Sequence, residues 1–332
     1  MVLPFFFMMS FLLFLGSVLS VSSCFWLGVW GGLEMNMLRF LPVVMHFSSF
    51  MGVESIVKYF LIQSFASVGV LVGGLFEDSF FFGSFSFLLL VLCFSLFMKV
   101  GVFPFHWWLP GVLGGLSWFG VLLLSTWQKI APVLVFSSVS SGGFIFIFLA
   151  VFSSLVGGLS GVGQTSVRSI LAFSSVGHAG WFFSLFCVSW FFGAVYFFVY
   201  LFSTFFLIFF LWCVDYLRLS QVFSVSLVGC FLFFVCILTI SGVPPFLGFF
   251  SKLLGFIAFG ASFVGFLFLS VLILGSLFSL YFYLGLFFTC FFFYFSFLDG
   301  VWVKFSFLVM FSFFGVFVSL AFFFIDFFFC FL

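Results

Sequence analysis

Along its whole length the chain alternates long apolar runs with short breaks of glycine, serine and one or two charges. The runs are apolar on every side, so they are not the amphipathic helices of a soluble surface. Eleven of them predict membrane spans, near residues 3–22, 26–45, 54–75, 82–103, 116–138, 142–162, 169–189, 191–214, 224–248, 254–290 and 305–331. The tenth is too long for one plain span. A tilt, an interfacial segment or a second short helix would accommodate it. The expected fold is an all-α polytopic membrane protein, one transmembrane domain over residues 1–332, with near-featureless Phe/Leu helices over 256–332.

Two places interrupt this pattern in the same way. In KVGVFPFHWWLP (99–110), Pro104 has no N–H for the carbonyl of Val100 and its ring crowds that carbonyl, so the arriving helix should break near Gly101. The break leaves carbonyls unpaired beside Lys99, at the negative end of a half-helix dipole that favours a cation. In SGVPPFLGFFSK (241–252) the pattern Gly-Val-x-Pro-Phe returns, and Lys252 follows it. In lipid, broken backbone survives only where it is buried in protein or lines a water-filled cavity. Paired interrupted spans in two halves are the sequence pointer to inverted repeats around a site at mid-depth.

Composition fixes the environment. The chain is 67% hydrophobic and 5% charged, with a mean hydropathy of +1.55, values that no soluble globular protein sustains. A net charge of +1 excludes an electrostatic reading toward nucleic acid or anionic lipid. The N-terminal residues MVLPFFFMMSFLLFLG carry no basic n-region and no Arg/Ser-rich amphipathic character, so the first span is expected to be a permanent helix. The eight cysteines are scattered singly without a C-x-x-C, as apolar fillers, and with three histidines no haem or metal centre is expected. Phe occurs 74 times and Asn once. Phe, Val, Gly, Leu, Cys and Trp can all be coded by G and T alone, a strand bias that small organelle genomes commonly carry.

The charges then sort themselves. Glu77 and Asp78, Asp215 and Arg218, and Asp299 and Lys304 read as loops; Arg168 begins a helix or ends a loop; Asp326 lies near the C-terminal end; Arg39 can snorkel from a helix end. Glu54 and Lys58 form an i,i+4 pair at the mouth of a span. Glu34, Lys99, Lys129 and Lys252 fall within predicted spans without a local partner. Each such burial costs at least ~2.5–3.5 kcal/mol on insertion scales, which makes an intramembrane charge a functional candidate by default. His178, between Gly177 and Ala179, reads by itself as a hydrogen-bonded packing residue, and His106 as a cap on broken-helix backbone.

GLEMNML (32–38), VESIVKYFLIQSFAS (53–67), KVGVFPFHWWLP (99–110), LSWFGVLLLSTWQKIAP (116–132), QTSVRSILAFSSVGHAGW (164–181) and SGVPPFLGFFSK (241–252) closely resemble, in the same order, the animal mitochondrial NADH dehydrogenase subunit 2 family. Members of that family are antiporter-like proton-pumping subunits of respiratory complex I. The resemblance covers roughly residues 28–255. It implies an antiporter-like core at about 26–255, eleven helices with two proline-broken helices in an inverted-repeat arrangement, and a multi-pass, organelle-encoded subunit of the mitochondrial inner membrane. It also implies roles: Glu34 pairs with Lys99, Lys129 is the central relay lysine, Lys252 stands at the second broken helix, and His178 lies near the polar axis. No cofactor is implied in this chain; NADH, FMN, iron–sulfur clusters and ubiquinone belong to other subunits, and the partners are neighbouring membrane subunits and lipids, not nucleic acid. The chain departs from the family at Gly111, where a glutamate often follows W-x-P, and at Ser169, where a basic residue often follows the arginine of Q-T-x-x-R.

The chemistry expected is a relay. A low-dielectric site disfavours a charged amine, and a carboxylate within ~4–6 Å restores it. Approach or withdrawal of Glu34 would thus govern Lys99, with protons passing by bound water to Lys129 and Lys252 as a coupled set. A stand-alone cation/proton antiporter would use the same axis, and a passive scaffold would use none of it.

Overall fold

The structure is a computed structural model that describes residues 2–47, 50–79, 85–139, 143–214, 227–244, 246–260 and 262–297. The regular structure among them is helical: α1 (Val2–Ser22), α2 (Trp26–Met45), α3 (Phe50–Ser79), α4 (Phe85–Val100), α5 (Trp108–Gly115), α6 (Trp118–Ser125), α7 (Trp127–Val139), α8 (Phe144–Gly161), α9 (Val167–Val188), α10 (Trp190–Val214), α11 (Leu227–Ser241), α12 (Leu247–Phe259) and α13 (Phe263–Phe297). Seven stretches among the described residues are long and apolar enough to cross a membrane, the most enclosed being Val167–Val188. The predicted span at 305–331 and the charges Asp215, Arg218, Asp299, Lys304 and Asp326 lie outside the described residues.

The outside of the bundle is apolar, with Phe50, Phe65, Phe144, Phe198 and Phe263 among its exposed side chains. Lipid tails are as apolar as these residues, so helices associate through close packing of small residues instead. A Cβ on Gly157 of α8 would meet the Gly177 nitrogen of α9 at 2.5 Å, so only glycine allows this approach. The interior serines bond within their own helices, as in Ser153 Oγ to the Ala150 carbonyl (2.6 Å) and Ser175 Oγ to the Ala172 carbonyl (2.8 Å).

The two interruptions share a set of backbone hydrogen bonds. The Gly101 N–H bonds the Phe97 carbonyl at 2.8 Å, the Val102 N–H bonds the same carbonyl at 2.9 Å, and the Phe105 N–H closes on the Val102 carbonyl at 2.7 Å. Gly242, Val243 and Phe246 repeat this with Leu238, Leu238 and Val243, at 3.2, 3.4 and 2.9 Å. Gly101 (φ +83°) and Gly242 (φ +68°) hold the left-handed position that ends each helix, which a side chain would strain. The Gly-Val-x-Pro-Phe echo thus codes a repeated local structure.

Three expectations are revised. Glu77 and Asp78 are not in a loop: α3 runs to Ser79, because neither Glu nor Asp breaks a helix as Gly or Pro does. The span expected at 116–138 is present as Trp118–Val139, but its helix is interrupted at Thr126, whose Oγ1 bonds back to the Leu122 carbonyl at 2.6 Å. The long run at 254–290 is divided between α12, which ends at Phe259, and α13, which begins at Phe263, the second-short-helix alternative.

Candidate functional site

Lys99 sits in the last turn of α4, 6% exposed. The carbonyls around it are already served by neutral donors. Gln63 Nε2 of α3 donates to the Lys99 carbonyl at 3.0 Å, and Trp108 Nε1 of α5 donates to the Met98 carbonyl at 3.1 Å. The amine is left to a charge and to space. Glu34, half-buried on α2, acts electrostatically on both Lys99 and Tyr59 without a direct ion pair to Lys99 among the described residues.

A small cavity of about 20 Å³, room for about one water, opens beside Lys99 and reaches Lys129 on α7. Asn36, Tyr59, Gln63 and Gln128 share its lining. These side chains are themselves linked. Gln128 Nε2 donates to Asn36 Oδ1 at 3.0 Å, and the Tyr59 hydroxyl donates to Gln128 Oε1 at 3.3 Å. Polar groups that face a cavity at membrane depth make it wettable, since water needs two to four partners to stay.

Lys129 is 3% exposed and lies where α6 gives way to α7. Its N–H turns to the Thr126 carbonyl at 3.3 Å, which frees the Ser125 carbonyl four residues back. Tyr200 of α10 fills the gap: its hydroxyl donates to the Ser125 carbonyl at 3.3 Å and accepts from Lys129 Nζ at 3.1 Å. The same ring receives the Lys129 ammonium at 5.2 Å from its centroid.

Beyond Tyr200 lies His178 of α9, with ring centroids 5.4 Å apart. His178 Nδ1 shares a hydrogen bond with the Tyr196 hydroxyl at 3.0 Å, so its expectation as a hydrogen-bonded residue and its place near a polar axis coincide. His178 and Lys252 line a second, smaller cavity of about 10 Å³ with Ser154, Ser174, Ser276 and Ser279. Lys252 of α12 reaches back across the second break, where its Nζ donates to the Ser241 carbonyl, the end of α11, at 2.7 Å. A Cβ on Gly242 would lie 2.9 Å from that Nζ, so the glycine also makes room for the amine.

The structure thus brings Lys99, Lys129, His178 and Lys252 onto one buried polar line, with Glu34 at its edge. Other charges lie apart from it. Glu54 and Lys58 pair at 2.6 Å on an exposed face, Arg39 Nη1 approaches Met9 Sδ at 3.4 Å, and Arg168 stacks on Trp118 at 4.9 Å. His106 is buried beside the first break with its Nδ1 unpartnered among the described residues. Only its backbone carbonyl, which receives the Leu109 N–H at 3.1 Å, serves the start of α5, so the side chain does not cap the break as expected. Sequence reasoning missed Tyr200, Tyr196, Gln63 and Gln128. Asn36, the single asparagine of the chain, was the available signal for the neutral part of the network.

Over residues 76–279 the chain matches the family described as NADH:quinone oxidoreductase/Mrp antiporter, TM. It belongs to that family. It is 36% identical to NADH-ubiquinone oxidoreductase chain 2 of Locusta migratoria over 247 residues, 72% of each chain. It is 40% identical to the chain 2 of Pisaster ochraceus over 252 residues, 71% of this chain and 70% of that one. Its fold is similar to one in the respiratory complex I of Thermus thermophilus, with a TM-score of 0.77 at 22% identity, over 95% of this chain and 77% of the other. It is also similar to one in the Mrp complex of Dietzia sp., with a TM-score of 0.73 at 18% identity, over 84% and 59%. The buried line is the part of this antiporter-like fold where ionisable side chains meet broken helices.

Proposed function

We propose that the chain is a proton-translocating core membrane subunit of NADH:ubiquinone oxidoreductase. Glu34, Lys99, Lys129, His178 and Lys252 pass protons through bound water, and redox chemistry in partner subunits drives the transfer. The observation that carries this reading is the cavity shared by Lys99 and Lys129, two lysines 30 positions apart that face one space lined with amides and a phenol. Relatives named chain 2 of that oxidoreductase support it. The same reading covers eleven spans with two proline-broken helices as inverted repeats, neighbouring antiporter-like subunits as partners, an organelle-encoded chain in the mitochondrial inner membrane, and NADH, FMN, iron–sulfur clusters and ubiquinone held in other subunits. The repeated backbone hydrogen bonds of the two breaks support the repeat.

Charge motion couples the parts. When Glu34 moves toward Lys99 it stabilises the ammonium, and when it moves away a proton is released to the cavity and on to Lys129. Protonating one member biases the next, so the set titrates as a unit. The decisive variant is Lys129→Met in the assembled complex in sealed vesicles. Proton pumping and NADH oxidation should fall together by about tenfold or more, since an ion's whole electrostatic contribution is removed. Unchanged pumping would leave the chain a passive scaffold. The shared fold with the Mrp complex keeps a second reading, a cation/proton antiporter acting without a redox partner. Purified chain alone, active in vesicles, would favour it; activity only inside a quinone-reducing assembly favours the first.

A further inference from the structure

Tyr200 is 2% exposed on a helix otherwise crowded with phenylalanine, where Phe would fill the same space. Its hydroxyl is the part that packing does not require. It accepts from the Lys129 amine at 3.1 Å and donates to the Ser125 carbonyl at 3.3 Å, with the Ser175 hydroxyl of α9 also beside it. A phenol has one proton to donate and lone pairs to accept with; an ammonium has three protons and no lone pair. With Lys129 charged, one arrangement satisfies everything: the amine donates to the phenol and the phenol donates to the carbonyl. With Lys129 neutral, the amine gains a lone pair, and the phenol proton has two acceptors at nearly equal distance.

We infer that Tyr200 is a positioning residue for Lys129, whose hydroxyl turns between the Ser125 carbonyl and the Lys129 amine as the lysine changes charge. The inference rests on the relay proposed above and adds a residue that the relay does not otherwise contain. The phenol keeps its proton throughout, so no covalent bond forms or breaks; only the direction of one hydrogen bond changes. The consequence falls on the helix break. The Lys129 N–H is committed to the Thr126 carbonyl at 3.3 Å, so when the phenol turns away the buried Ser125 carbonyl loses its donor. An unpaired buried carbonyl is costly, and the junction of α6 and α7 must adjust. The charge of one amine is thereby written into backbone geometry at mid-depth.

The far side of the ring gives this change a destination. Tyr200 stands 5.4 Å from His178 between ring centroids, and Tyr196, one turn earlier on α10, shares a hydrogen bond with His178 Nδ1 at 3.0 Å. One helix face therefore carries two phenols, one on the central lysine and one on the histidine that shares a cavity with Lys252. Small rotations of α10 move both.

Tyr200→Phe keeps the ring and its contact with the ammonium and removes the hydroxyl alone. In the assembled complex, turnover per complex should fall about tenfold, the scale of one hydrogen bond to a charged group. The apparent KM for NADH and for quinone should stay as in the unchanged complex. The infrared difference spectrum between NADH-energised and resting complex should lose a tyrosine C–O band. Tyr281→Phe, an exposed tyrosine on α13, serves as the control that alters neither reading. Lys129→Met in the same preparation separates the two levels. If it abolishes pumping while Tyr200→Phe turns over normally with the band intact, the tyrosine inference is wrong and the relay stands. If Lys129→Met pumps normally, the relay itself fails. If Tyr200→Phe lowers only the amount of assembled complex, with normal turnover in what assembles, the hydroxyl is structural and the inference is overturned.

Discussion

At the first break Lys99 stands on the upstream half-helix, and at the second Lys252 stands on the downstream one and reaches back. Three backbone hydrogen bonds match between the two, carbonyl for carbonyl and N–H for N–H. The difference is in who satisfies the loose carbonyls. Gln63 and Trp108, both neutral, bond the Lys99 and Met98 carbonyls, so the Lys99 amine is free of the backbone. Among the described residues the Ser241 carbonyl is held instead by the Lys252 amine, at 2.7 Å, at the negative end of α11. In the relay proposed above, the charge of Lys99 answers to Glu34, a group across a gap, whereas Lys252 is tied to a fixed dipole. One lysine is placed to respond and the other to hold.

The largest effect that tests this contrast comes from Lys252→Met against Lys99→Met. Both should abolish turnover. Lys252→Met also strips the donor from a carbonyl of Ser241, which is 1% exposed, at about 1–3 kcal/mol. Its complex should therefore melt at a lower temperature in a calorimetric scan, while Lys99→Met, with its carbonyls still served, should melt close to the unchanged complex. Equal losses of melting temperature in the two variants would break the comparison.

Gly242→Ala against Gly101→Ala is the next most telling pair. Each puts a side chain into left-handed backbone, a cost of roughly 1–2 kcal/mol. At Gly242 the added carbon lies 2.8 Å from Lys252 Cε and 2.9 Å from its Nζ. At Gly101 its nearest neighbours are the end of the Leu109 side chain and the Trp108 ring. Stability should fall similarly in both, with turnover falling further in Gly242→Ala. Turnover lost equally in both would show that the breaks matter as backbone and not as seats for an amine.

Much of this contrast was legible in the chain, and what was hidden has a physical reason. The breaks could be read because Pro and Gly act locally, on their own backbone, and Lys99, Lys129 and Lys252 because a charge in an apolar run has no bland explanation. Tyr196 and Tyr200 could not, since among so many Phe residues one aromatic side chain looks like another until its hydroxyl is seen to face His178 or Lys129. Gln63 was equally silent: its partner is a backbone carbonyl 36 residues away, and backbone carbonyls leave no mark in a sequence. The division at Thr126 was missed because it depends on one hydroxyl bonding back to Leu122, a choice that serine and threonine elsewhere in these helices make without breaking them. Local signals survived the loss of the third dimension, and pairings between helices did not.

Gln63→Leu gives the smallest effect and sharpens the comparison most finely. The substitution removes the neutral donor that frees Lys99 from the backbone, and it leaves both Lys99 and Glu34 in place. The orphaned Lys99 carbonyl borders the cavity that Gln63 itself lines, so water can take over the bond at a net loss of about 1 kcal/mol or less. Lys99 would then share its surroundings with a needy carbonyl, as Lys252 does, and turnover should drop about two- to threefold, within the range of a lost neutral hydrogen bond. A loss as deep as that of Lys99→Met would make Gln63 a member of the proton path. No change at all would mean that the Lys99 amine does not depend on who serves its carbonyl, and the distinction between the responsive and the tethered lysine would go with it.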